Sequence, residues 1–416
     1  MQTTRSKRAI FPLSRRGFLK RAGLTTAGLA VSQIPFRARA ATHNDTIQVG
    51  VIGTGGRARQ LMRVLSKIDK VKITAVCDVY DAHLGAGKEL AAVGAFATPE
   101  YEKLLEKKDV DAVVIGAPDH WHVRMTVDAC QAGKDVYVEK PLTHDRDDGQ
   151  SVVAAQDRYN RVVQVGTQQR SMPQFHDARR IIQEGTLGKI RKVHLTWNRN
   201  FLPFEKKVPP IRSDEVDWKR WLGSAPEQPF DPYRLRNWRW FWDFGGGILT
   251  DLMVHWLDAV NWLLDLGMPA SARTLGDQFA TKGVWETPDT IQTFLSYPDQ
   301  QLQIHFEGTF VNDHNRAMTE IMGEHATLYL DRGRFELHPQ PKRDQKYQER
   351  ILGSGLRGAD FFDQPDGELL HLTDWLDAIR ARRKPSAPAE AGVLAAAAAH
   401  MANRAFREDR IVRLKG

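Results

Sequence analysis

Apolar positions change their period along the chain, and the changes mark its parts. Ile47–Ile52 and Val71–Cys77 are short, apolar, β-branched runs, and between them Leu61, Met62, Leu65 and Ile68 recur at helical spacing. The alternation continues with a short helix at Tyr101–Glu106 and a mostly apolar strand at Val110–Gly116, of the kind buried on both faces. Val123–Ala132 reads as a helix closed by Gly133, Asp135–Val138 as a strand, Asp145–Tyr159 as a helix and Val162–Gly166 as a last strand. From Thr167 the order changes. Ala178–Glu184 and Ile248–Leu264 have helical spacing, Ile190–Asn198 alternates as a strand, and Phe201–Arg239 is a proline- and aromatic-rich excursion expected to wrap the substrate side. Ser271–Gln278, Thr290–Tyr297, Gln301–Phe310, Arg316–Gly323 and Ala326–Leu330 follow strand after strand, which indicates an antiparallel or mixed sheet. Gly333–Gly358 reads as irregular and charged, and Leu369–Arg383 and Ala389–Phe406 as helices. The pattern predicts an α/β protein. A doubly wound domain spans 44–168, and a second α/β domain with a large, mostly antiparallel open sheet spans 169–365. Helices in 366–416 pack back on the body.

The first unit carries chemistry. Ile47–Ile52 runs directly into Gly53-Thr54-Gly55-Gly56-Arg57-Ala58, a GxGxxA turn that opens a helix, and the second strand ends in Asp78. Strand, glycine turn, helix, strand and acid together form the dinucleotide-binding fingerprint of a Rossmann domain, with the acid roughly 20 residues past the turn. Gly53 allows the tight turn, Gly55 lets the backbone approach a pyrophosphate, and Ala58 permits close helix–strand packing. Free N–H groups at the helix start face the phosphates. Asp78 accepts from ribose hydroxyls and would repel a 2′-phosphate, so NAD is expected rather than NADP. A tight turn without a ligand is the alternative reading of the same residues.

Composition changes the picture only at the N-terminus. Ser14-Arg15-Arg16-Gly17-Phe18-Leu19-Lys20 is similar to the twin-arginine export consensus; a moderately apolar run, Ala22 to Ile34, and an A-x-A site at Ala38-Arg39-Ala40 follow. Residues 1–40 therefore read as a signal peptide, with a run too short for stable membrane insertion. The chain has 59 Lys+Arg and 51 Asp+Glu, but nine of the basic residues lie in 1–40, leaving 50 against 51. The rest of the chain is nearly neutral, which gives no support to a nucleic-acid partner. The two cysteines, Cys77 and Cys130, make no disulfide framework and read as buried thiols.

Two further constellations stand out. Pro118-Asp119-His120-Trp121-His122 and Glu139-Lys140-Pro141 are exit loops of consecutive strands, on the rim where doubly wound sheets bind ligands. Lys140 is suited to donate a hydrogen bond to a substrate oxygen; a solvated lysine at a strand end is the plain alternative. Gly245-Gly246-Gly247 precedes Asp251 and His255, spaced i, i+4 on one helix, so that the carboxylate is expected to face the imidazole. A structural Asp–His pair would have the same spacing. His120, His122 and His255 lack the companion ligands of a metal site, so no metal is expected. Trp121, Trp197, Trp238, Trp240 and Trp242 fit either a sugar-stacking surface or the core.

Taken together, the glycine turn, the APDHWH loop, EKP, GTQQR at Gly166–Arg170, DLMVHWLD and the final helices resemble the Gfo/Idh/MocA oxidoreductase family, over nearly the whole chain after the leader. That group contains glucose-fructose oxidoreductase and inositol dehydrogenase. Ala58 departs from the third glycine of many members. The resemblance implies hydride transfer between a carbohydrate or polyol carbon and a tightly bound NAD. It implies His255 as general base, Lys140 as the group that polarises the substrate oxygen and Asp251 as the residue that orients His255. Cofactor contacts are expected from Gly53, Thr54, Gly55, Gly56, Arg57, Asp78, Pro118, Asp119, His120, Trp121, His122, Glu139, Lys140 and Gln168. Some relatives are similar to NAD-dependent glycoside hydrolases, in which oxidation, elimination, hydration and reduction follow in one cycle. A non-catalytic sugar sensor is the third reading. Relatives also imply a homo-oligomer formed through the open sheet.

Overall fold

A computed structural model describes residues 46–341, 346–352, 355–358 and 366–414; the leader motif lies outside them. The apolar runs of the first part become β1 (Ile47–Ile52), β2 (Val71–Cys77), β3 (Phe96–Thr98), β4 (Ala112–Ile115), β5 (Asp135–Val138) and β6 (Val163–Val165). They form a parallel sheet in the order β3-β2-β1-β4-β5-β6. Because the chain winds one way from β1 to β3 and the other way from β4 to β6, a crevice opens between the carboxyl ends of β1 and β4. The glycine turn leaves β1 at that crevice. Gly53 adopts φ +78°, and a Cβ there would lie 2.7 Å from the Ala117 nitrogen beyond β4. A Cβ on Gly116 would come within 2.8 Å of the Ala58 Cβ, so the room for the Ala58 methyl is supplied by Gly116.

The structure adds a helix at Asp81–Leu90 and the strand β3, both unread in the sequence. The helix carries two glycines and β3 is three residues long, so neither produces a clear period. The segment read as the exit loop 118–122 is in fact the start of a helix, Asp119–Gln131, with Pro118 as its N-cap.

The second sheet has nine strands, in the order β14-β13-β12-β11-β7-β10-β9-β8-β15. These are β7 (Ile190–Asn198), β8 (Ser271–Asp277), β9 (Thr290–Tyr297), β10 (Leu302–Thr309), β11 (Ala317–Gly323), β12 (Ala326–Leu330), β13 (Arg334–Pro339), β14 (Gln348–Ile351) and β15 (Val412–Arg413). All pairs are antiparallel except β7 with β10. Along β9 and β10 buried Ile291, Leu295, Ile304 and Phe306 alternate with outward Gln292, Phe294, Gln303 and His305, so one face is cored and the other open. β13 and β14 replace the irregular stretch expected there. Their charges hid the pattern: Glu336 is buried in β13 because Arg334 (2.8 Å) and Arg357 neutralise it.

In Gly367–Ala381, Leu372, Trp375 and Leu376 are fully buried in one cluster with Val49, Leu61 and Tyr137, so this helix completes the first sheet's core from the far end of the chain. Ala389–Arg407 packs its alanine face, including Ala395, Ala398 and Ala402, into the core of the second sheet. Both cysteines are buried free thiols.

Removing a buried tryptophan leaves a large cavity. Trp375→Ala should therefore cost about 3–5 kcal/mol of stability, read as a lower urea midpoint; an unchanged midpoint would contradict the assignment of this helix to the first domain's core.

Candidate active site

Three strand exits and one turn of the second domain meet at the crevice. Lys140 follows β5. Its ammonium donates to the Asp251 carboxylate at 2.6 Å and to the Asp251 carbonyl at 2.7 Å. Arg239, from the aromatic-rich excursion, donates to the same carboxylate oxygen at 3.2 Å. Burial opposes ionisation of Asp251, but Lys140 and Arg239 override it and hold the carboxyl at about 2. Asp251 sits in a π-helical turn, Leu249–Met253, which leads into the helix Val254–Leu264 that bears His255. Such turns recur at functional sites. Gly247, at φ +65°, lets the backbone come against Thr287, where a Cβ would clash at 2.6 Å.

The structure brings Lys140, Asp251 and His255 to one cleft of about 1510 Å³, its open mouth included. It differs from the expected pairing in one respect. Asp251 gives its carboxylate to Lys140 and Arg239, while His255 stacks on Trp197 with ring centroids 5.3 Å apart and its buried Nδ1 has no hydrogen-bond partner among the described residues. Helical spacing put the two residues on one side, but two cations compete for the acid and take it. Burial, with Lys140, Arg332, Arg57 and Arg199 nearby, pushes the His255 pKa well down. The imidazole is therefore held neutral, with one ring nitrogen carrying a lone pair.

The expected cofactor contacts divide. Asp78 accepts main-chain N–H bonds from Thr54 (2.7 Å) and Tyr80 (2.9 Å), which locks the glycine turn to the end of β2. A carboxylate has about four acceptor sites, so capacity for ribose hydroxyls remains. Nothing lies within 4 Å of a Cβ built on Gly56, which leaves the start of the helix open to a phosphate. The Thr54 hydroxyl donates to the His83 carbonyl at 2.8 Å and lies 3.4 Å from the Asp78 carboxylate. These features fit a dinucleotide: an open cradle, a helix start and an acid.

Several of the other expected residues are also tied into the frame. Arg57 turns to Glu139 (2.9 Å) and to Glu368 of the C-terminal helix, so Arg57 and Glu139 tie the turn to the EKP exit. His122 sits between the carbonyls of Pro141 (2.7 Å) and Ala117 (2.9 Å), bracing the two exits. His120 and Trp121 both face the Trp221 carbonyl, at 3.1 and 2.9 Å, and burial pushes His120 down to about 4. Gln168 donates to the Tyr137 hydroxyl at 3.1 Å. Asp119 is buried beside Lys140 at the cleft wall, and burial pushes its carboxyl well up against the pull of that lysine. Pro118 lines the adjoining cavity. Among the tryptophans, Trp197, Trp238 and Trp240 line the cleft, whereas Trp242 lies against Arg407 elsewhere. Sequence reasoning missed Arg239; its only signal was its place in the excursion already linked to the substrate side. Among the described residues there is no cluster of three or more metal-type ligands.

The comparisons agree with this architecture. Residues 47–167 match the family model described as "Oxidoreductase family, NAD-binding Rossmann fold", and 175–329 match the Gfo/Idh/MocA C-terminal domain. The chain belongs to the Gfo/Idh/MocA oxidoreductase family, and its first domain is that family's NAD-binding domain. A glycosyl hydrolase family 109 protein of Solibacter usitatus is 40% identical over 32% of this chain and 34% of its own length. An inositol 2-dehydrogenase of Salmonella typhimurium is 30% identical over 42% of this chain and 54% of its own. The match thus spans about a third to a half of these relatives. A levoglucosan dehydrogenase solved with NADH and L-sorbose has a TM-score of 0.70 at 16% identity, covering 89% of this chain and 99% of that one, which establishes a shared fold.

A histidine titration by NMR should find His255 neutral through the range where an ordinary histidine, with pKa about 6.5, takes up its proton. Because its folded pKa is lowered, His255 removes stability as pH falls below that value. A midpoint at or above 6.5 would contradict the environment described.

Proposed function

We propose that this chain is an exported oxidoreductase that acts on a hydroxyl-bearing carbon of a carbohydrate or polyol with a tightly held NAD. The observation that carries the reading is the convergence of Lys140, Asp251 and His255 beside the dinucleotide crevice. When bound, NAD supplies the hydride acceptor and donor. The glycine turn, the start of its helix and Asp78 hold it.

The protein's own groups divide the proton work. Neutral His255 accepts the hydroxyl proton. Lys140 donates a hydrogen bond to the same oxygen and stabilises its growing negative charge. Asp251 and Arg239 set the position of the Lys140 ammonium, which revises the role expected for Asp251 from orienting the histidine to holding the lysine. Burial and the neighbouring cations disfavour a lasting imidazolium, so His255 is a base that returns its proton readily.

A redox-neutral glycoside hydrolase is the second reading, favoured by the 40% identity to a family 109 glycosyl hydrolase. Export also suits a cycle that leaves the cofactor in its starting state. Arg15-Arg16 and the A-x-A site support the export reading. A homo-oligomer through the open sheet face fits the exposure of Leu275 (55%) and Phe294 (47%) there.

His255→Ala should lower turnover by ~10²–10⁴-fold and Lys140→Ala by on the order of 10²–10³-fold, with bound NAD retained in both. Full activity in either would sink the assignment. Product analysis separates the two readings: an oxidised sugar with reduced cofactor selects the dehydrogenase, and a cleaved aryl glycoside without net reduction selects the hydrolase. For export, changing Arg15 and Arg16 to Lys should leave unprocessed precursor in the cytoplasm; normal processing of that variant would count against a twin-arginine leader.

A further inference from the structure

The excursion between β7 and the π-helical turn does not belong to the substrate side alone. Its part from 213 to 238 lies on the first domain and is fastened there at several independent points. Val216 forms a main-chain bridge with Tyr80, and the Asp217 N–H donates to the Val79 carbonyl at 2.9 Å, just past the end of β2. The Trp221 carbonyl accepts from the Trp121 indole at 2.9 Å and faces the His120 ring at 3.1 Å, at the start of the helix that follows β4. Arg220 pairs with Glu100 (3.2 Å) and Glu102 (3.4 Å), beyond β3. The backbone lies flat on Trp121: Gly223 has φ +57°, and a Cβ there would fall 2.3 Å from the indole ring.

Between these fastenings the segment roofs a cavity. Arg220, Trp221, Leu235 and Trp238 form one wall, and the opposite walls are Gly53, Asp78, Pro118 and Trp121. Gly53 and Asp78 are the turn and acid of the dinucleotide fingerprint, so the roofed space is the one that serves the adenosine half. The second cleft, with Lys140 and His255, shares Leu235 and Trp238 with it, so one short stretch covers both.

We propose that residues 213–238 form a strap that retains the dinucleotide, making NAD a resident group that leaves only when the strap detaches from the first domain. The inference rests on the NAD reading above and adds what holds the nucleotide after it has bound. Main-chain bridging at the end of β2, indole-to-carbonyl bonding at the start of the helix after β4, and ion pairing beyond β3 place fastenings around the adenosine cavity. A nucleotide lodged there cannot diffuse out past Trp221 and Trp238 without breaking some of these contacts. A retained nucleotide also matches a protein that is exported folded and returns its cofactor to the starting state each cycle.

The test uses the full chain loaded with radiolabelled NAD. Bound nucleotide is measured after repeated desalting, and release is followed by a chase with excess unlabelled NAD. The unmodified protein should keep about one NAD per chain through desalting. Trp238→Ala, which removes an aromatic wall, should release label about tenfold faster or more. Arg220→Ala, at a side chain 40% exposed, should speed release a few-fold, since exposed ion pairs contribute modestly; it serves as the folded comparison if the tryptophan variant does not accumulate. Stoichiometric binding followed by complete loss in a single desalting step, or release rates unchanged in the variants, would overturn the strap and leave the NAD reading standing. Failure to bind NAD or NADP at all would overturn both.

Discussion

The contact between Lys140 and Asp251 joins the exit of a parallel strand in one domain to a π-helical turn in the other. Both side chains are largely buried, so neither charge is tolerable without its partner. Breaking such a pair from one side typically costs about 3–5 kcal/mol, because the remaining charge stays buried and unpaired. The pair therefore ties the floor of the cleft across the two sheets. Arg239 supplies a second cation to the same acid, and with it the aromatic-rich excursion is fastened to the site floor.

The same charge logic governs the rim. Arg57 begins the helix after the glycine turn, where a phosphate contact is the simple expectation. It is instead neutralised by Glu139 and Glu368. The pairing links the glycine turn to the EKP exit and to the helix Gly367–Ala381. A helix more than three hundred residues away in sequence thus stabilises the turn that receives the cofactor. Asp78 plays a matching part, capping the turn through Thr54 while keeping capacity for a ligand.

His255 has an environment with opposite demands. It is enclosed by Trp197 and surrounded by cations, which keeps it neutral, and neutrality is what a proton acceptor requires. Its Nδ1 has no partner among the described residues. The Asp251 carboxylate is engaged by Lys140 and Arg239 and not by the imidazole.

Local patterns were enough to identify most of the first sheet, the glycine turn and most of the second sheet, because strand periodicity and turn chemistry are properties of neighbouring residues. They also marked Lys140, Asp251 and His255, since short motifs carry those residues at fixed places. The helix at Asp81–Leu90, β3, β13 and β14 escaped for a physical reason: glycines, brevity or compensated charges erased the apolar period. Which acid serves which base, why Arg57 faces carboxylates, how 213–238 reaches across to the first domain and why the helix Gly367–Ala381 belongs to the first core were all decided by tertiary structure. Each depends on which charges and faces find each other across long stretches of chain, and burial makes those pairings obligatory in a way that spacing along the sequence does not encode.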